Sequence, residues 1–129
     1  INKQGQLALR LKSANESNLY ESAVAFGKER VGRWTHVATT LDSESKMISH
    51  YVNGRSFSHE KMAKWVPLSF EKSLFGHSFD TSDQEGTAFR GSIDEFVLFE
   101  EAYQEEEIRR IYEIGRPYEP ASPFGANLP

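Results

Sequence analysis

The sequence predicts an all-β protein, a two-sheet antiparallel sandwich closed by one short helix near its C-terminus. Three observations point there. Apolar residues recur at short intervals with turn-forming residues between them, the pattern of many short strands. A well-marked hairpin occupies residues 34–54. Helical periodicity occurs once, at residues 100–117.

The elements follow in chain order. Residues 7–11 (LALRL) alternate apolar and polar, the polar run SANESN (13–18) supplies a turn, and LYESAVAF (19–26) returns as a second strand. GKERVGR (27–33) is a polar loop. WTHVATTLD (34–42) is a strand, and SESK (43–46) turns the chain into MISHYVNG (47–54), whose Asn53-Gly54 pair tolerates the positive φ of a tight turn. With SESK as the whole loop, Asp42 faces Met47 and each residue is assigned a side. Val37, Thr39, Leu41, Ile48, His50 and Val52 fall on a largely aliphatic face, read as core between the sheets. His36, Ala38, Thr40, Met47, Ser49 and Tyr51 fall on a half-polar face.

WVPLSF (65–70) is broken by Pro67 and reads as an edge or bent strand, and KSLFGHSF (72–79) reads as a strand interrupted at Gly76. After the acidic loop DTSDQEG (80–86), FRGSIDEFVLF (89–99) has strong strand character. Its pleat would put Ile93, Glu95, Val97 and Phe99 on one face and Asp94, Phe96 and Leu98 on the other. In the helical stretch, Ile108, Ile111 and Tyr112 share a face and Glu105, Glu106 and Glu107 occupy the first turn, where the helix dipole favours anions. Gly115 and Pro117 mark its end. The domain is read as residues 1–117, and residues 118–129 as an extended tail.

With 129 residues the chain suits a single domain. Fifteen Lys and Arg against 19 Asp and Glu give a formal charge of −4, with no basic block to track a phosphate backbone, so nucleic acid is not the expected partner. The absence of cysteine removes disulfides, thiolate metal sites and a cysteine nucleophile. No apolar run approaches the roughly 18 residues of a membrane span, so this segment is not expected to insert directly. The opening INKQGQ does not resemble a signal peptide.

Four pieces in order, W-T-H-V-A at 34–38, Y-V-N-G at 51–54, F-R-G-S-I-D-E-F at 89–96 and E-E-E-I-R-R-I-Y at 105–112 followed by G-R-P, resemble the laminin G-like branch of the concanavalin A-like lectin superfamily. The resemblance covers roughly residues 30–117 and implies a jelly roll of two stacked antiparallel sheets with a short helix near the chain end. A narrower resemblance, in H-Y-V-N-G-R (50–55) and Y-E-x-G-R-P (112–117), is to the C-terminal module of bacterial envelope proteins that carry a FecR-like anti-sigma segment. Members of the wider family open with a strand or two before the first hairpin found here. The expectation is therefore a domain that lacks its first strands, or whose edge another segment fills. A Ser or Thr commonly stands where Gln104 stands, and glutamine is the weaker N-cap.

In related jelly rolls an acid in the I-D-E position can take part in binding calcium, which makes Asp94 the candidate metal ligand. One carboxylate is far from the roughly six to eight oxygens that calcium takes. The competing interpretation is favoured: Asp94 and Glu95 accept backbone N–H bonds or pair with a neighbouring cation, locking the last strand to the sheet. Calcium is the one cofactor in view. The acids at 80, 83 and 85 lack the order of a calcium-binding loop.

Enzymatic activity is not expected. Jelly-roll glycosidases align acids as E-x-D-x-x-E or E-x-D-x-E on one strand, about 5.5 Å apart for retention of configuration, and no such string occurs. His36, His50, His59 and His77 are scattered without metal-ligand spacing. Ligand binding is left to the half-polar face, with His36, Ser49 and Tyr51 as candidate residues and the Tyr51 ring as a surface for a sugar; the competing interpretation, which is favoured, is that the missing strands or the C-terminal helix cover this face. Trp34 and Trp65 are read as core anchors. The expected function is a non-catalytic recognition module for a glycan or protein partner, within a larger exported or envelope protein in the periplasm or at the cell surface. The alternative is a scaffolding domain of an anti-sigma-type envelope regulator.

Overall fold

A computed structural model describes residues 1–2, 4–65, 67–69 and 89–115. The chain divides into two units, one formed by Ile1–Trp65 with Glu101–Pro129 and the other by Val66–Glu100. The first holds all the regular structure described below.

Strands β1 (Gln6–Lys12) and β2 (Ser17–Val24) form an antiparallel two-stranded sheet. Strands β3 (Val37–Asp42), β4 (Met47–Val52) and β5 (Arg55–Lys61) form a three-stranded antiparallel sheet in the order β3-β4-β5. Helix α1 (Glu105–Gly115) packs against β5. The sheets meet where β2 runs against β5, and their inner residues share a core. Leu11 and Tyr20 of the hairpin pack with Ile48 and Met62, flanked by Leu9, Leu41 and Trp65. A second cluster joins Leu7 and Ala25 to Val52, with Phe26 and Phe57 against it. Ile48, fully buried at 0% exposure, is the centre of the larger sheet's contribution. Ala63 N–H donates to the Tyr20 hydroxyl at 3.2 Å and ties the end of β5 to the hairpin.

The alternation in LALRL is fulfilled, with Leu7 and Leu11 buried and Arg10 exposed, and LYESAVAF returns as its hairpin partner with one adjustment. Gln6 pairs with Val24 but Ala8 pairs with Glu21, so β2 carries one extra residue in a bulge. The Ser22 hydroxyl repairs the interrupted ladder, accepting from Leu7 N–H at 3.0 Å and donating to the Ala23 carbonyl at 2.6 Å. The β3–β4 register is the expected one, Asp42 opposite Met47 and Val37 opposite Val52. The Asp42 carboxylate holds the SESK loop by accepting from Glu44 N–H, Ser45 N–H and the Ser45 hydroxyl at 2.9, 3.2 and 2.7 Å. Those donors hold its pKa below the ordinary 3.8.

Four expectations need correction. Strand β3 starts at Val37 rather than at Trp34, because residues 28–33 wind through a 3-10 turn (Lys28–Arg30) and linked tight turns into a loop that ends beside it. Strand β5 forms in RSFSHEK, where the sequence predicts no strand. It has a single large apolar residue, and a bulge between the His50↔Ser58 and Tyr51↔Ser56 pairs shifts the phase of its side chains. Val37 and Thr39, expected in the core, are exposed. Their strand is the sheet edge on the far side of β4 from β5, where the hairpin packs, and the described residues of this unit leave them uncovered.

The fourth correction concerns residues 89–99. No strand forms there: residues 89–100 are without regular structure, and Ile93, Phe96, Val97, Leu98 and Phe99 are exposed. Glu95 has φ +51°, a left-handed conformation that interrupts the extended geometry a pleat requires. The alternation argument that set Asp94 and Glu95 on opposite faces therefore has no strand to act on. Proline at 67 and its neighbours 68 and 69 likewise lie outside any strand. The expected strand 72–79, the acidic loop 80–86 and the tail 118–129 lie outside the described residues.

A cleft framed by Trp34, Arg33, Asn53 and Tyr112

The turn between β4 and β5 organises the surface around it. Asn53 and Gly54 both have positive φ, +50° and +75°, as expected of an Asn-Gly hairpin. Asn53 and His36 clasp each other: His36 N–H donates to the Asn53 carboxamide oxygen at 3.0 Å, and Asn53 N–H donates to the His36 carbonyl at 2.9 Å. The start of β3 is thereby fixed against the hairpin tip. Gly54 gives the helix its seat. A Cβ on Gly54 would lie 3.0 Å from Arg109 Cα and 3.0 Å from Tyr112 Cβ, so a side chain there would strain the turn and crowd the packed helix. The Ser56 N–H donates to the Glu105 carboxylate at 3.0 Å and fastens the first turn of α1.

With α1 so placed, the Tyr112 ring lies beside His36, their centroids 5.8 Å apart and their planes tilted by 45°. Facing this pair is the loop after β2. Arg30 N–H bonds the Gly27 carbonyl at 3.1 Å and Arg33 N–H bonds the Arg30 carbonyl at 3.2 Å, with Gly32 at φ +75° between them. These consecutive turns present Arg33, Trp34 and Thr35 towards Asn53 and Tyr112. Between them opens a cleft of about 480 Å³, with Glu29 and Arg30 completing its wall. Trp34 is 53% exposed, so it is a cleft wall rather than the core anchor expected. Trp65 does pack on the core. The signal that separates them is local: Trp34 follows Gly-Arg in a charged loop, where no apolar periodicity calls for a buried ring.

The polar chemistry of the cleft is dominated by donors. Arg30 Nε is buried without a hydrogen-bond partner and stands 3.7 Å from the Glu29 carboxylate. The Asn53 carboxamide oxygen is committed to His36, which turns its NH₂ group to other acceptors. The arrangement suits a polyhydroxylated molecule that stacks one face on indole and accepts hydrogen bonds from guanidinium and amide groups.

The candidate residues fall as follows. His36 is half-buried beside the cleft, its Nδ1 buried without a partner, and burial pushes its pKa below 6.5. Ser49 and Tyr51 lie on β4, Ser49 between Thr40 and His59 and Tyr51 between Ala38 and Ser56. Tyr51 is 6% exposed, and neither residue lines the cleft. Asp94 is exposed, in the other unit. Among the described residues no three His, Asp or Glu side chains gather as metal ligands.

Two antiparallel sheets with a shared core, one short helix at the end and a donor-lined aromatic cleft define a lectin-type sandwich. A laminin G-type sequence profile, described as the concanavalin A-like lectin/glucanases superfamily, matches residues 1–109, and the chain belongs to that superfamily. Among solved structures, an S-layer domain-containing protein from Clostridium thermocellum ATCC 27405 is similar, with a TM-score of 0.56 and 25% identity over 83% of this chain. The chain covers 50% of that protein's chain, about half its length. No match was found among curated proteins. Among the described residues no helix is long and apolar enough to cross a membrane.

Proposed function

We propose that the domain is a non-catalytic glycan-recognition module of a larger extracytoplasmic protein, and that it binds its ligand in the Trp34 cleft. The observation that carries this is the exposed indole facing Asn53 and Tyr112 across a cleft of about 480 Å³. Pyranose rings present an apolar face that stacks on indole and a rim of hydroxyls that accept hydrogen bonds, and the cleft supplies both partners. His36 takes part by positioning Asn53 and Tyr112, through its backbone clasp and its ring contact respectively. The absence of an aligned acid string on any strand supports a binding role over hydrolysis. Likeness to an S-layer domain-containing protein supports a place at the cell surface or in the envelope.

A glycan-array screen of the wild-type domain and the Trp34→Ala variant tests the proposal. The expected outcome is a restricted set of bound glycans, lost in the variant while its melting temperature is kept. An array without any binder would favour the scaffolding role in an envelope regulator instead. Retention of every bound glycan by Trp34→Ala would place the site elsewhere, with Ser49 and Tyr51 as the next candidates.

A further inference from the structure

The cleft differs in charge from the protein around it. The chain carries a formal charge of −4, yet the cleft wall holds two guanidinium groups, Arg30 and Arg33, against a single carboxylate, Glu29. Glu29 is already engaged by Arg30 at 3.7 Å. Arg33 is exposed, and its side chain has no hydrogen-bond or ion-pair partner among the described residues. The Asn53 NH₂ group and the indole N–H add neutral donors to the same wall. A neutral sugar would leave the Arg33 fork without a matching acceptor. An acid group with two or more terminal oxygens on the sugar ring would meet it with two parallel N–H bonds.

Building on the glycan-recognition proposal, we infer that the ligand is an anionic saccharide, stacked on Trp34 and held through its acid group by Arg33. The acid group is a ring carboxylate, as in a uronic acid, or a sulfate ester, both of which offer oxygens to a guanidinium fork. Arg30 is held by its neighbour Glu29 and contributes field rather than the direct contact. Net negative charge elsewhere on the chain opposes an anion, so the attraction rests on the cleft guanidinium groups, and salt screens both effects.

The test is calorimetric titration of the whole chain with hexagalacturonate, its carboxyl-reduced neutral counterpart, and a sulfated galacto-oligosaccharide of the same length. At least one anionic probe is expected to bind about tenfold or more tighter than the neutral one, and to lose that advantage in Arg33→Gln. The tighter of the two anions identifies the acid group. An Arg33→Lys variant should restore part of the affinity, since a point charge replaces the fork. The melting temperature of each variant checks that the fold is intact. Equal affinity for neutral and anionic probes, or an anionic preference that survives Arg33→Gln, would overturn the inference while leaving glycan recognition standing. Binding of none of the three, together with an array lacking any binder, would remove both.

Discussion

His50 stands on the core side of β4 at 3% exposure, its Nδ1 bonded to the Thr39 hydroxyl at 2.9 Å and its Nε2 buried without a partner. Burial pushes its pKa below the ordinary 6.5, because a charged ring there would be desolvated with one nitrogen unmet. The sign follows. Below pH 6.5 the unfolded chain takes up a proton that the folded protein resists, so stability falls as the pH drops from 6.5 towards the lower folded value, and is intact above 6.5. His36 acts in the same direction. Thermal melts between about pH 8 and pH 5 should therefore be level down to about pH 6.5 and fall on further acidification, the fall being shallower in His50→Leu. Parallel slopes in the two proteins would show that His50 does not carry the effect. The alternation of the strand identified His50 as inward-facing; its bond to Thr39 follows from the register. At Trp34 ring size does not decide burial; the loop's linked turns decide where that ring points.

At the scale of elements, the β4–β5 turn and the start of α1 decide whether the cleft exists. Gly54 combines φ +75° with 3.0 Å approaches to Arg109 and Tyr112. Gly54→Ala should cost about 1–3 kcal/mol in denaturant unfolding and, by unseating α1, weaken ligand binding through Tyr112. Unchanged stability would mean that the helix is not seated on the turn. The helix start is half of a capping box: Glu107 reaches back to accept from Gln104 N–H at 2.8 Å, while residue 104 supplies no short hydroxyl in return. Gln104→Ser should complete the box and raise stability by up to about 1 kcal/mol, measurable as a shift in the unfolding midpoint. A neutral or negative shift would show that the glutamine already satisfies the first turn. Both features were legible in the sequence, as Asn-Gly and as three acids before Ile108. Strand β5 was not, since hydrogen bonds to β4 and a bulge, rather than alternating side chains, define it.

Across the whole molecule, the sandwich arises because neither sheet can bury its apolar face alone. Leu11 and Tyr20 from one and Ile48 from the other close a common core, and the periodicity of β1, β2 and β4 announced it. What periodicity could not show is the extent of cover. The hairpin lies over the β5 side, leaving Val37 and Thr39 of β3 exposed, and residues 93–99 form no strand despite their composition. Strand character in a sequence is a preference for a partner edge, and the edge has to be supplied by the rest of the fold. The candidate site was legible only at its margin, through His36. Its remaining walls come from a loop, a turn and a helix that are distant in sequence and meet only because Asn53 and Gly54 bring them together.

The two tryptophans provide the most direct test. In a nitrogen-15 correlation spectrum titrated with hexagalacturonate and then with its neutral counterpart, the Trp34 indole signal should shift with added saccharide while that of Trp65, set against the core, stays in place. A Trp34 signal that does not move while resonances of the β1–β2 hairpin do would contradict recognition at this cleft.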